Sequence, residues 1–227
     1  MRPTLVLGDA YRLDVDTVWK PTAATPYSKE ETQIILDWDD TLLHTTWLKG
    51  NGYDPWTQNP LTETVAKECK NLAKIAIRLL KRAKAHGKVM IITAAIDGWV
   101  EASAAKFMPA ILPHLMGVPI ISARKYAPTP ASRCAVLWKR CAFHDQLLCA
   151  PPRNVLSIGD GIPEQEAMRA VRRAPHLTLR TKIVKLLDNP CPNTLTEQLR
   201  KVLFFISQLV YHPDNLDLKA GLVNLPL

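Results

Sequence analysis

The run Thr32–Thr45, TQIILDWDDTLLHT, sets three aliphatic residues directly ahead of three acids packed into four positions, Asp37, Asp39 and Asp40. Ile34, Ile35 and Leu36 form a continuous β-favouring stretch with no polar alternation, which predicts a short strand covered on both faces, as in a parallel sheet. Acids crowded at the end of such a strand repel one another. The arrangement is sustained where a cation or a phosphoryl group needs the negative charge, and is costly elsewhere.

Beyond Leu36 the pattern alternates. KVMIITAA (88–95), VPIISA (118–123), RNVLSIGD (153–160) and HLTLRT (176–181) are short aliphatic runs, separated by longer segments of helical period. That order predicts an α/β fold, a three-layer Rossmann-like parallel sheet with crossover helices. The last helix is expected in NTLTEQLRKVLFFISQLVYH (193–212), capped by Asn193 or Thr194 and stopped by Pro213. The clearest helix runs from Thr62 to His86. Val65, Cys69, Leu72, Ala76, Leu79 and Ala83 fall on one arc of it, and Lys67, Lys70, Lys74, Arg78 and Lys81 on the opposite one, with Gly87 ending it. Such a row of cations is either a solvated face or a stripe that tracks phosphates.

At 227 residues and 25.4 kDa, with 47% hydrophobic and 22% charged residues, the chain suits one well-filled core with small appendages. We expect an N-terminal arm and connector at 1–30, with a hairpin around Gly8 and Asp9, a main domain at 31–212 and a tail at 213–227. The longest apolar run, VLFFISQLV (202–210), is about half of what a bilayer requires, so no membrane span is expected. Five scattered cysteines without a C-x-x-C pair suggest neither zinc nor a disulfide framework, and favour a reducing intracellular compartment, cytoplasmic or mitochondrial. The first 16 residues lack a secretory apolar core and carry Asp9, Asp14 and Asp16, unlike an import presequence. A net charge of +8 and a pI near 9.3 point to polyanionic partners: nucleic acid, phosphoproteins or an acidic surface.

Open parallel sheets bind ligands beyond the carboxyl ends of their strands. The strand ending at Leu36 delivers Asp37 and Asp39, the strand ending near Ile92 delivers Thr93, and the strand ending at Ile158 delivers Asp160 and, one turn later, Glu164. If the strands ending at Leu36 and Ile158 are neighbours, Asp37 and Asp160 converge, and two or three oxygen ligands with open water positions suit Mg²⁺.

Four motifs together resemble the haloacid dehalogenase-like (HAD) superfamily of phosphohydrolases and phosphotransferases. ILDWDDTLL matches hhhDxDx[TV], VMIITA matches hhh[ST], a lysine precedes the fourth strand, and VLSIGDGIPE matches hhhGDxxxD with Glu164 in place of the final Asp. The resemblance spans roughly Thr32 to Thr181, and AAIDGWVEASAAKFMP is also similar to HAD-like proteins of protists. It implies a HAD-like fold and Mg²⁺-dependent phosphatase chemistry. Asp37 would be the nucleophile that forms an aspartyl-phosphate, and Asp39 the acid and base. Thr41 would brace Asp39 and the turn, and Thr93 would donate to the phosphoryl group. Asp160 would hold Mg²⁺ with Asp37 and the Asp39 carbonyl. For the lysine, Lys125 and Lys139 compete, and the family spacing favours Lys139.

Too few residues separate these motifs for a large cap domain, and within the family an open site implies a phosphorylated macromolecule or nucleic acid as substrate. The aromatic-rich loop Thr45–Asn59 is a candidate flap. The alternative is a binding or structural subunit of the same fold, without turnover, inside a ribonucleoprotein or other large assembly such as a mitochondrial ribosome or its assembly intermediate, with protein or RNA partners.

Overall fold

A computed structural model describes residues 5–6, 12–13, 27–129, 132–148, 151–174 and 179–219. A two-residue antiparallel pair, β1 (Leu5–Val6) with β2 (Arg12–Leu13), flanks the expected hairpin, whose turn and following connector to residue 26 lie outside the described residues.

The main sheet follows. Its strands are β3 (Thr32–Leu36), β4 (Lys88–Thr93), β5 (Ile120–Ser122), β6 (Asn154–Gly159), β7 (Arg180–Lys185) and β8 (Leu216–Lys219), all paired in parallel in the order β5-β4-β3-β6-β7-β8. The chain leaves β3 outward through β4 and β5, returns to β6 on the other side of β3, and moves outward again. That reversal opens a crevice at the carboxyl ends of β3 and β6, where Leu36 lies in register with Ile158. The fold is therefore α/β and Rossmann-like.

The connecting helices are α1 (Thr45–Gly50), α2 (Glu63–His86), α3 (Trp99–Phe107), α4 (Leu112–Leu115), α5 (Ala135–Leu148), α6 (Ile162–Arg173) and α7 (Pro192–Tyr211). Because alternate residues of a strand face opposite ways, Ile34 and Leu36 join the core under α2, α3 and α7, while Ile35 joins Trp138, Phe143 and Met168 under α5 and α6. Both faces of β3 are buried, as its unbroken apolar run predicts.

The α2 helix follows its amphipathic pattern: Thr62 caps it by accepting from Val65 N, and the six apolar residues named above are all buried. Gly87 ends it for a reason other than a left-handed turn. Its φ is −169°, and a Cβ there would lie 2.8 Å from the backbone oxygen of Thr32, so only glycine allows α2 to close onto the start of β3.

Three expectations need correcting. The strand expected at His176–Thr181 lies further on, at Arg180–Lys185; residues 175–178 lie outside the described ones. The charges in RTKIVK disguised it, yet Lys182 is wholly buried beside Asn154. The tail expected from residue 213 instead supplies β8, whose Asp217 accepts from Gln165 and pairs with Arg169. The last helix begins two or three residues earlier than expected, with Cys191 as N-cap in place of Asn193 or Thr194 and Pro192 in the first turn, where a missing N–H costs nothing. No helix among the described residues is long and apolar enough to cross a membrane.

Candidate active site

The site grows from the end of β3. The Asp37 N–H donates to Ile158 O at 3.0 Å, so the residue is still tied to β6 when its side chain reaches the carboxyl edge. Trp38 points the other way, into the core, and its indole N–H donates to Ser103 Oγ at 2.9 Å. The chain then turns tightly. Leu42 and Leu43 N–H groups both return to Trp38 O, and Asp40 takes a left-handed φ of 50°. Asp40 itself accepts from the Thr46 N–H at 2.9 Å and from the Thr46 hydroxyl, which makes it a turn and capping residue for α1. The loop expected over Thr45–Asn59 is thus helical in its first part, because Asp40 satisfies donors at the start of α1.

Lys139 projects from α5 into the crevice and is 1% exposed. Its ammonium lies 2.8 Å from Asp37 Oδ1 and also pairs with Glu164 Oε1. Lys125, its rival, is exposed and pairs with Asp97 at 3.1 Å. Asp37, Asp160 and Glu164 each bring an oxygen within 4.8 Å of the others'. Glu164 is held there by its own loop: a Cβ on Gly159 would lie 2.5 Å from Glu164 Cγ, and one on Gly161 would lie 2.6 Å from Glu164 Oε2. The two glycines of GDG are what let the carboxylate lie against the backbone.

The charges do not balance. Burial pushes the Asp37 carboxyl well above the usual range against the pull of Lys139, and raises Asp160 to about 7, with the nearby Glu164 charge adding to it. Burial also disfavours charge on Lys139, but Asp37 and Glu164 outweigh it and hold its pKa above the ordinary lysine value. Glu164 is opposed by burial too, yet the Lys139 contact leaves it below its normal value. One ammonium thus serves three acids. Glu164 Oε2 is buried without a hydrogen-bond partner, and Asp37 Oδ1 meets the ammonium without hydrogen-bond alignment. Hard oxygen donors at this spacing, one of them orphaned, fit a Mg²⁺ ion with further positions left to water.

Asp39 stands apart from that trio. It accepts from the Thr45 hydroxyl at 2.6 Å, the Thr93 hydroxyl at 3.2 Å and the Trp99 indole N–H at 2.8 Å. Thr93 therefore bonds Asp39 in this state, and its hydroxyl also accepts from Ala95 N–H at 3.0 Å. Thr41 braces Asp160 instead of Asp39, donating to Asp160 Oδ1 at 3.2 Å and accepting from its N–H at 3.1 Å. The reason is topological: with β3 and β6 adjacent, the turn after Asp39 lies over the end of β6.

Two residues escaped the sequence reading. Lys185, at the end of β7, donates to Asp160 O at 2.5 Å and to Leu186 O at 3.1 Å, and so fixes the loop that carries Asp160 from the neighbouring strand. Trp99 reaches Asp39 from the first turn of α3; the segment IDGWV held the signal, a helix start just beyond Thr93. Its ring also meets Trp56 at 5.1 Å and lies under Lys49 at 4.5 Å. Lys106 ties down the loop that carries Trp56, donating to Asp54 O at 2.6 Å and Thr57 O at 2.5 Å. Between Asp37 and Thr93 stand α1, this loop and α2; between Thr93 and Lys139 stand α3, α4, β5 and short turns.

No family model matches the chain, and no curated protein matches it. Among solved structures it is similar to one assigned to the haloacid dehalogenase-like hydrolases, from Burkholderia xenovorans, with 13% identity, 68% of this chain and 84% of that one covered, and a TM-score of 0.36. A likeness of that size carries no argument about chemistry. The reading of the site rests on its own residues.

Proposed function

We propose that the chain is a Mg²⁺-dependent phosphohydrolase of the HAD-like type. The observation that supports this best is the buried cluster in which Lys139 touches both Asp37 and Glu164 while Asp160 completes a ligand-spaced trio. A set of acids this expensive to bury is useful where a cation and a phosphoryl group share the crevice.

Asp37, Asp160 and Glu164 would hold the Mg²⁺, joined by the Asp39 carbonyl, and when bound the ion neutralises phosphoryl oxygens and orients the ester. An Asp37 carboxylate oxygen attacks phosphorus, a new P–O bond to Asp37 forms, and the bond from phosphorus to the ester oxygen breaks. Asp39, aimed by Thr45, Thr93 and Trp99, gives that leaving oxygen a proton. It then takes a proton from the water that attacks the same phosphorus, which releases inorganic phosphate and frees Asp37. Lys139 pulls against the burial that raises the Asp37 carboxyl, and would offset charge gathering on the phosphoryl group. The intervals around the site hold no inserted domain among the described residues, which supports a phosphate carried on a macromolecule.

The test is hydrolysis of an aryl phosphate, a phosphopeptide and a 5′-phosphorylated oligonucleotide, each with and without Mg²⁺. Turnover should require the ion and fall about 10³-fold or more in Asp37→Asn. A wild-type protein inert on all three, or an Asp37→Asn variant that keeps its rate, overturns the proposal.

A further inference from the structure

The cations of α2 were left open by the sequence, and the structure gives them a setting. Lys67, Lys70, Lys74, Arg78 and Lys81 are all exposed, and none has a carboxylate within salt-bridge distance among the described residues. Neighbours three and four apart on a helix stand about 5–6 Å from one another, so each cation repels the next without a close ion pair to hold it. At about 1.5 Å per residue, the row covers about 21 Å from Lys67 to Lys81. It begins at the end of α2 near the catalytic edge and runs toward the opposite edge of the sheet, since α2 leads into the start of β4.

The row ends in something built. Between α2 and α7 lies an open groove of about 780 Å³ whose walls include Arg78, Lys81, Arg82, Arg200 and Phe204. Phe204 is 52% exposed, a large apolar ring in water among cations. It is not a loose side chain: the ring sits edge-on to Phe205 at 4.9 Å, and Phe205 is buried in the core. Arg82 is oriented by Ser207 Oγ at 3.2 Å, across the two helices.

We propose that this face binds single-stranded nucleic acid, with phosphates along α2 and a base stacked on Phe204. The cation pitch is of the order of the phosphate repeat of an extended strand, and a fixed aromatic among cations offers the stacking platform that every base can use. An acidic peptide would satisfy the charge but has no need of a flat ring held edge-on. The net charge of +8 supplies long-range attraction. The proposal is independent of the catalytic reading: these residues lie outside the acidic crevice.

The experiment is fluorescence anisotropy with a labelled oligouridylate of about 12 nucleotides, at several salt concentrations. Affinity should fall steeply with salt, and Lys70→Glu/Lys74→Glu/Lys81→Glu should weaken it more than tenfold while lowering the log–log slope by about two. Phe204→Ala should weaken binding about tenfold at an unchanged slope, and Phe204→Trp should restore it. A control reversing Lys29, Lys125 and Arg173 matches the charge change elsewhere. Equal loss in that control, or a silent Phe204→Ala together with equal competition by polyglutamate, overturns the proposal in favour of a generic polyanion or acidic-peptide surface. All variants should keep the wild-type thermal midpoint within a few degrees, and the α2 triple should hydrolyse a small aryl phosphate at the wild-type rate.

Discussion

Two lysines are buried at opposite edges of one sheet. Lys139, at the carboxyl edge, is 1% exposed, and Lys182, at the amino edge, is 0% exposed. The first sits between Asp37 and Glu164, and its proton is held more tightly than in water. The second donates to the neutral Asn154 Oδ1 and faces the Tyr27 ring at 4.6 Å; burial pulls it down to about 7, and Arg180 adds to the effect. Same side chain, same burial, opposite proton affinity: the neighbours decide. At the carboxyl edge the fold accumulates charge and counter-charge, which is what the proposed chemistry requires. At the amino edge it tolerates an amine by letting it become neutral, which is a packing solution.

The sharpest way to break this comparison is to remove each ammonium. Lys139→Met should leave Asp37 and Glu164 buried without compensation and cost about 3–5 kcal/mol of unfolding free energy in a urea titration. The proposed phosphatase activity should vanish with it. If Lys139→Met proves as stable as the wild type, the carboxyl edge is not the charge-strained site described.

Mg²⁺ should act on one edge alone. At about 100 times its Kd the ion should add about 2.7 kcal/mol of stability. The gain in thermal midpoint should be larger at pH 8 than at pH 6, because Asp160, raised to about 7, has to lose its proton first. Asp160→Asn should remove the gain and Lys182→Met should leave it intact.

The amino edge makes a pH prediction of known sign. Between about 7, where folded Lys182 titrates, and about 10.4, where an unfolded lysine does, the unfolded chain holds a proton that the folded one lacks. This group therefore makes stability rise with pH across that window, by about 1 kcal/mol per pH unit, and its full penalty is present below it. Urea midpoints at pH 7 and pH 9 should show the rise in the wild type and its loss in Lys182→Met.

The smallest expected effect sharpens the carboxyl edge itself. Trp99→Phe keeps an aromatic ring near Trp56 but deletes the N–H that reaches Asp39 together with part of the buried indole, so stability should fall by about 1–2 kcal/mol. We expect kcat to fall about tenfold, as for a misaimed acid–base group, with KM little altered. A rise in KM alone would place Trp99 in substrate binding instead.

Much of this edge was legible because parallel sheets put their chemistry at strand ends, and the strands at Leu36, Thr93 and Ile158 announced themselves by uninterrupted aliphatic runs. The neighbourhood of β3 and β6, on which the meeting of Asp37 and Asp160 depends, could be posed as a condition and is met. What stayed hidden obeys a different logic. Lys182 made β7 look like a surface segment, since no local pattern says that Asn154, far away in sequence, waits to receive an amine. Four residues, LDLK, are too few to show strand period, so β8 passed for a tail. The partners of Thr41, Glu164 and Trp99 are tertiary contacts between segments, and periodicity carries no record of them.

The hydrogen bond between Thr41 and Asp160 joins residues 119 positions apart. A chain emerging from its N-terminus can lay down β3, α2 and β4 early, but the place beside β3 stays open until β6 has been synthesised. Until then Asp37 has neither Asp160 nor Glu164 beside it. The acidic trio therefore comes into being late, and a nascent or truncated protein lacking the second half of the sheet cannot assemble it.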